Sequence, residues 1–270
     1  AETRDFIIKE RPEIVILAAG KVGGIGANTK YPAEFIYQNS MIELNVIHAA
    51  HEAQVEKLIF FGTSSVYPAN AEQPVKEQAL MTSEFEKTNE PYSIAKLSGI
   101  KLCEYYFKEY NDNFFTIMPA NLYGPFDHFE PERSHVIPAL IYKFHKAKVE
   151  GREKVELWGS GSPLREFLYA LDLAKIISFL IENVDANEVF ENDISVLNIG
   201  SGEEKTIMEL ALIIKDVVKF NGEIIFDASK PDGIKRKAID SSLLRKLGWT
   251  DFTLLKDGLN NTYKKKKKNN

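Results

Sequence analysis

The chain has 270 residues, a formal net charge of −5, 44% hydrophobic and 27% charged residues, which fits one extended α/β unit or two small lobes and excludes global disorder. The acidic balance speaks against nucleic acid as the principal partner. A lone cysteine, Cys103, excludes an internal disulfide and a multi-cysteine metal site and suits a reducing, cytoplasmic compartment; no window approaches the ~18 apolar residues of a membrane span, and the charged opening is unlike a signal peptide.

Short β-branched runs alternate with amphipathic stretches from the start. A strand is predicted from Ile14 to Ala19, a helix from Ala33 to Ala53, a strand from Lys57 to Gly62, a helix from about Pro91 to Tyr110 and a strand around Phe115 to Met118. A helix from about Ser134 to Lys148 and a strand from Val155 to Trp158 continue the rhythm. It predicts a parallel sheet flanked by helices. After Gly159 come a helix from about Asp172 to Asn183, a strand from Val196 to Ile199, a helix from Thr206 to Lys219 and a strand from Glu223 to Phe226. These predict a smaller second lobe, interleaved with the first because no Gly/Ser linker separates them. The domain reading is 1–150 for a nucleotide-binding domain, 151–263 for a substrate lobe, and 264–270 for a solvated, disordered basic tail, with a polyanion-binding patch as the alternative for the Lys run.

A doubly wound nucleotide-binding fold ordinarily opens on a strand, a G-x-G-x-x-G turn and a helix N-terminus that holds a pyrophosphate. No such opening stands upstream of Ile14. Gly20, Gly23, Gly24 and Gly26 follow a strand but do not lead directly into a regular helix, and read as a loop near a cofactor or substrate rather than as a displaced phosphate fingerprint.

The most informative pattern is Tyr92-Ser93-Ile94-Ala95-Lys96 near the start of a predicted helix. Four-residue spacing puts phenol and ammonium on one face, one turn apart. A nearby cation favours phenolate and is expected to lower the tyrosine pKa toward a useful acid/base range. Alone, such a pair arises often by chance and usually means a surface contact. The hydroxyl-rich turn Gly62-Thr63-Ser64-Ser65-Val66-Tyr67-Pro68 directly after a buried strand strengthens it, because ligands of parallel sheets bind at the carboxyl ends of strands.

Together the turn, Tyr92 and Lys96 resemble the catalytic triad of the extended short-chain dehydrogenase/reductases. Lys21 to Ile25, Asn89 to Tyr92, Met118 to Pro125, Ser134 to Leu140, Arg165 to Leu168 and Ser229 to Gly233 resemble one family among them, the GDP-L-fucose synthases, and the resemblance runs from about Pro12 to Tyr263. It implies an α/β fold with a doubly wound parallel sheet, Rossmann-like, and a smaller C-terminal substrate lobe. It also implies NADPH as cofactor, a GDP-sugar as substrate, a homodimer, and epimerisation at C3 and C5 of a 4-keto-6-deoxy sugar followed by reduction at C4.

By the same resemblance Tyr92 donates a proton, Lys96 tunes it and holds the nicotinamide ribose, and Thr63 stands where the family has serine. Phe61, Gly62, Thr63, Ser64, Lys96, Pro119, Ala120, Asn121, Leu122 and His135 are the implied cofactor-binding residues. For epimerisation the family uses a cysteine and a histidine; His135 matches the histidine, with a helix cap as its alternative reading, and Ser65 stands at the cysteine position. A serine hydroxyl is a far weaker acid than a thiol, so slow epimerisation is expected. Lys143, Trp158, Arg165 and Asp232 are implied to contact the GDP-sugar, Lys143 in place of an arginine; Trp158 could alternatively be a core aromatic. Without the glycine-rich opening, weak NADPH binding and an open sheet edge at Ile14 are expected, and a non-catalytic nucleotide-sugar-binding homologue is the second reading, another nucleotide-sugar epimerase or dehydratase the third.

Overall fold

A computed structural model describes residues 2–130, 134–191 and 194–268. In chain order its elements are α1 Glu2–Glu10, β1 Ile14–Leu17, α2 Ile25–Lys30, α3 Pro32–Glu52, β2 Lys57–Phe61, α4 Glu90–Tyr110, β3 Phe114–Pro119, β4 Asn121–Tyr123, α5 Val136–Val149, β5 Lys154–Trp158 and β6 Leu164–Tyr169. There follow α6 Ala170–Asn183, α7 Ala186–Phe190, β7 Leu197–Ile199, β8 Glu204–Thr206, α8 Ile207–Val218, β9 Glu223–Asp227, β10 Arg236–Lys237, α9 Ser242–Lys246 and α10 Leu255–Lys268. The chain divides into two compact units, Ala1–Ala120 with Ile176–Ile199 and Ile239–Trp249, and Asn121–Lys175 with Gly200–Ala238 and Thr250–Asn270. The division falls at Ala120 rather than at 150, and the chain crosses it repeatedly.

The first unit holds a parallel sheet in the order β1-β2-β3-β7, the Rossmann-like arrangement of an extended short-chain dehydrogenase. Apart from Lys57 and Thr116 its central strands are apolar: Leu58, Ile59, Phe60, Phe114, Phe115, Ile117 and Met118 are fully buried, as a sheet covered on its faces requires. β7 corrects the sequence reading, which put Val196 to Ile199 in the second lobe. Its three residues are buried and pair with Ile117, Met118 and Pro119 of β3. α1, unread in the sequence because it is so charged, is tied to α3 by a two-pronged Arg4–Glu52 contact of 2.6 and 2.7 Å. The glycine segment does lead into a helix, though one of only six residues, and Pro32 then starts α3 at a position where its missing N–H costs nothing. Among the described residues β1 pairs with β2 alone, leaving Ile14 and Ile16 exposed.

Asn198 on β7 ties four segments of this unit together. Its Nδ2 donates to the Val75 and Asp240 carbonyls at 2.9 and 3.0 Å, its Oδ1 accepts from the Tyr67 hydroxyl at 2.6 Å, and its backbone N–H donates to Glu77. Removing the amide strands a buried phenol and two carbonyls. Asn198→Ala is expected to destabilise the protein by roughly 2 to 4 kcal/mol, read from urea unfolding.

In the second unit β4 and β10 flank β6 in parallel, β8 pairs with β6 antiparallel, and β5 pairs with β9. Its core gathers Ile137, Ile141 and Phe144 of α5, Leu210 and Ile214 of α8, and Leu259 and Tyr263 of α10. The basic end is not disordered through Lys268: it continues α10. Lys266 is buried with its ammonium 5.7 Å from the Phe129 and Tyr142 ring centres, so its aliphatic stem packs while the charge meets aromatic faces, and burial lowers its pKa. Asn269 and Asn270 of the expected tail lie outside the described residues.

Candidate active site

In the first unit the Tyr92–Lys96 pair lies in the first two turns of α4, which begins with Pro91. The turn after β2 forms a short 3₁₀ segment over Ser64–Val66, capped by Thr63, whose hydroxyl oxygen accepts from the Ser65 N–H at 3.3 Å. The Thr63 hydroxyl donates to the Ser65 hydroxyl at 3.4 Å. Ser93 of α4 donates to the Ser65 carbonyl at 2.9 Å, fixing the turn against the helix that carries Tyr92. Phe61 and Gly62 lead into the turn; Gly62 is obligatory, because a Cβ there would lie 2.4 Å from the Met118 sulfur. Pro119 ends the neighbouring strand and Ala120 follows it. The sequence-predicted residues of this unit thus come together at the carboxyl end of β2 and β3.

Electrostatics here differ from expectation. Lys96 is nearly inaccessible and donates to the Phe61 carbonyl at 3.0 Å. Its ammonium lies 6.0 Å from the Tyr92 ring centre but 2.9 Å from a carboxylate oxygen of Glu43, which is wholly buried. Lys96 therefore does not bring the phenol below its ordinary range. Burial, and then the charge of Glu43, push Tyr92 up to about 12. Burial likewise raises Glu43, against the pull of Lys96.

Glu43 and Asn39 are the site residues that sequence reading missed. Asn39 accepts from the Lys21 N–H at 2.8 Å and donates to the Lys21 and Phe35 carbonyls at 3.1 and 2.8 Å, pinning the glycine loop to α3. Their signal was present: positions 35, 39, 43 and 47 form one buried face of α3, and two of the four are polar.

In the second unit Asn121 donates to the Glu166 carbonyl at 3.0 Å, and Leu122 pairs with Leu168. His135 occupies the N-cap position of α5 but its side chain makes no cap hydrogen bond; it is exposed, and the carboxyl of Asp127 is pushed up by burial. The histidine thus stands at the helix cap without capping it through its side chain. Trp158 is 70% exposed, which removes the core-aromatic reading, and the Lys230 ammonium sits 5.8 Å from its ring centre. Asp232 accepts from the Ser160 N–H and hydroxyl at 2.8 and 2.6 Å, directly after Gly159, whose φ of +81° suits glycine and where a Cβ would strike Asp232. Arg165 donates to the Leu164 and Ile234 carbonyls at 2.7 and 2.6 Å; burial lowers its pKa and Asp232 opposes this. Lys143 reaches the Glu156 carbonyl at 3.4 Å. Trp158, Arg165 and Asp232 are thus gathered around one turn, with Lys143 against the strand that ends in Trp158. His135 begins the helix on which Lys143 lies.

Residues 1–200 match the NAD dependent epimerase/dehydratase family. GDP-L-fucose synthase 1 of Arabidopsis thaliana is 51% identical over 97% of this chain and 79% of its own length. GDP-L-fucose synthase of Escherichia coli strain K12 is 51% identical over 96% of this chain and 81% of its own. Among solved structures, a GDP-mannoheptose C4 reductase of Campylobacter jejuni with NADP bound superposes with a TM-score of 0.89 at 36% identity, covering 98% of this chain and 84% of that one. With half of its residues shared over nearly its whole length, and a Tyr92–Lys96 pair set against a hydroxyl turn, the chain belongs to the GDP-L-fucose synthase family of NAD-dependent epimerases and dehydratases.

Proposed function

We propose that the protein converts GDP-4-keto-6-deoxy-D-mannose to GDP-L-fucose, epimerising C3 and C5 and then reducing the C4 ketone with NADPH. The observation that carries this reading is the half-buried Tyr92 with the buried Lys96 beside the Thr63 to Ser65 turn, in a chain half identical to GDP-L-fucose synthases. The first unit's residues fit the nicotinamide ribose. Lys96, the phenol and three hydroxyls supply donors, and a Cβ on Gly20 would lie 3.8 Å from the Lys96 ammonium and 3.1 Å from the Asn39 oxygen, so glycine keeps the approach to both open. Lys96 would hold a ribose hydroxyl, and NADPH, when bound, supplies the hydride for C4.

Protons α to a ketone are acidic because the carbanion delocalises as an enolate, so epimerisation asks for acid/base groups: His135 for one, Ser65 at the family's second position. For reduction, Thr63 hydrogen-bonds the ketone oxygen and Tyr92 protonates it. A phenol near 12 is fully protonated at neutral pH, the form a donor needs, and remains a stronger acid than an ordinary alcohol. Proton transfer to the nascent alkoxide is thus downhill.

On the nucleotide-sugar side the half-buried Arg165 cation suits a diphosphate, with Lys143 as a second cation, Asp232 ordering the turn, and Trp158 offering an aromatic face to the base. Trp158→Ala is expected to weaken GDP-sugar binding about tenfold by calorimetry, the scale of one stacked base. Asn121, Leu122, Pro119 and Ala120 line the cofactor's nicotinamide in this reading. Homodimerisation through α3 and α4 belongs to it as well, supported by the exposed Tyr37, Met41, Leu44, Ile94 and Tyr105 on those helices. Among the described residues no helix is long and apolar enough to cross a membrane, and a cytoplasmic location is proposed on the single, buried cysteine.

The direct test is loss of NADPH absorbance when the full-length protein meets GDP-4-keto-6-deoxy-D-mannose; no oxidation would refute the reading. Ser65 favours a second one, C4 reduction without efficient epimerisation; the Campylobacter jejuni relative is a GDP-mannoheptose C4 reductase.

A further inference from the structure

The face that α3 buries runs through Phe35, Asn39, Glu43, Ile47 and Ala50, an apolar stripe interrupted by two polar residues. Asn39 is accounted for by its three hydrogen bonds. Glu43 is not accounted for by packing or by folding. It is 0% exposed, and neither carboxylate oxygen has a hydrogen-bond partner. Its polar neighbour is the Lys96 ammonium, 2.9 Å from Oε1, while the same ammonium donates to the Phe61 carbonyl. The site is cleared for this carboxylate: Gly99, one turn beyond Lys96, has no side chain where a Cβ would lie 3.0 Å from Oε2 and 2.7 Å from the Phe60 ring. A buried ion pair carries a desolvation cost, and well-packed apolar residues are often as stable or more so. Its retention therefore points to the lysine it touches.

We propose that Glu43 is a positioning residue of the reduction: it anchors the Lys96 ammonium at the end of β2 and offsets that cation's influence on the Tyr92 phenol, so that Tyr92 stays protonated and ready to donate. The inference rests on the reading of Tyr92 as proton donor. The groups that face this cluster are Asn39 and Glu43 from α3, Tyr92, Lys96 and Cys103 from α4, the Phe61 carbonyl from β2 and Thr116 from β3. Nearby, Lys21 is paired with Glu34 and lies 5.6 Å from the Phe35 ring centre, and the Phe35 ring meets Tyr92 edge-on. Cys103 is itself held up at about 12, chiefly by burial, and stays a neutral thiol at working pH.

The sign of the effect follows. Reduction requires the phenol protonated, so its rate falls as pH rises through the phenol's pKa. Glu43→Gln removes a negative charge and leaves Lys96 uncompensated, and each change makes phenolate easier to form. The alkaline limb of kcat/KM for ketone reduction should then move to lower pH by about one unit or more, a tenfold change in ionisation constant, with KM for the GDP-sugar little altered. Glu43→Asp keeps the charge and should keep the wild-type limb even if its rate is lower. Independently of activity, the Tyr92 Cζ resonance in ¹³C-tyrosine-labelled protein, assigned with Tyr92→Phe, should titrate at lower pH in Glu43→Gln than in wild type. Should that variant fail to fold, the neutral pair Glu43→Gln with Lys96→Met removes both charges at once, and Tyr92 should titrate within about half a unit of wild type. A limb and a resonance unmoved by Glu43→Gln, or a double variant displaced by more than about one unit, would overturn the proposal. Reduction surviving Tyr92→Phe would instead overturn the donor assignment, so the two failures are distinguishable.

Discussion

Tyr92→Phe is expected to lower C4 reduction by about 10²- to 10⁴-fold, the usual contribution of a positioned general acid, while GDP-sugar binding changes little. The substitution removes one hydroxyl and keeps the ring, so the edge-on contact with Phe35 at 6.4 Å between ring centres survives, and the fold has no reason to shift. Because the interaction lost is made only as charge develops on the ketone oxygen, kcat and kcat/KM should fall together. Steady-state kinetics with calorimetry of the GDP-sugar separates the two quantities. Near wild-type reduction in Tyr92→Phe would take the proton-donor role from this residue.

The second large effect concerns Ser65. Epimerisation removes a proton from one face of the sugar and delivers another to the opposite face, so it needs two groups, and in the family the second is a thiol. Ser65 is held by the Thr63 hydroxyl and by Ser93, yet its own hydroxyl is too weak an acid to deliver protons quickly. The parent should therefore reduce faster than it epimerises, and Ser65→Cys should raise deuterium incorporation from D₂O at C3 and C5 by up to ~10²- to 10⁴-fold. The position is only partly buried, so a thiol fits without repacking. Rapid incorporation at both carbons by the parent, unchanged in Ser65→Cys, would show that another acid serves and that this serine is not the limiting group.

Much of this arrangement was legible in the sequence, for identifiable reasons. β1 to β3 and the helices α3, α4, α5 and α8 announce themselves through β-branched runs and helical periodicity, and Tyr92 with Lys96 through their spacing. β7 was misplaced because a three-residue apolar strand says nothing about its partner, and its pairing with β3 bridges nearly eighty residues. β4, β6, β8 and β10 were missed as strands because they are short or carry charged residues such as Arg165 and Glu166, which resemble loop chemistry. The tail was misread because charge was weighed without the aliphatic stem that lets Lys266 pack on Phe129 and Tyr142. The tuning of Tyr92 escaped for a related reason. A four-residue spacing reveals the lysine on the same helix, but the carboxylate that answers it comes from α3, and only the folded chain brings Glu43 against Lys96.

The central claim is tested most directly by following the hydride. The full-length protein is supplied with GDP-4-keto-6-deoxy-D-mannose and NADPH deuterated at its reactive hydride, and the product is identified by NMR. The account predicts a GDP-6-deoxyhexose, GDP-L-fucose together with unepimerised product, carrying deuterium at C4 and nowhere else on the sugar; recovery of the keto sugar without label, with NADPH unconsumed, would contradict it.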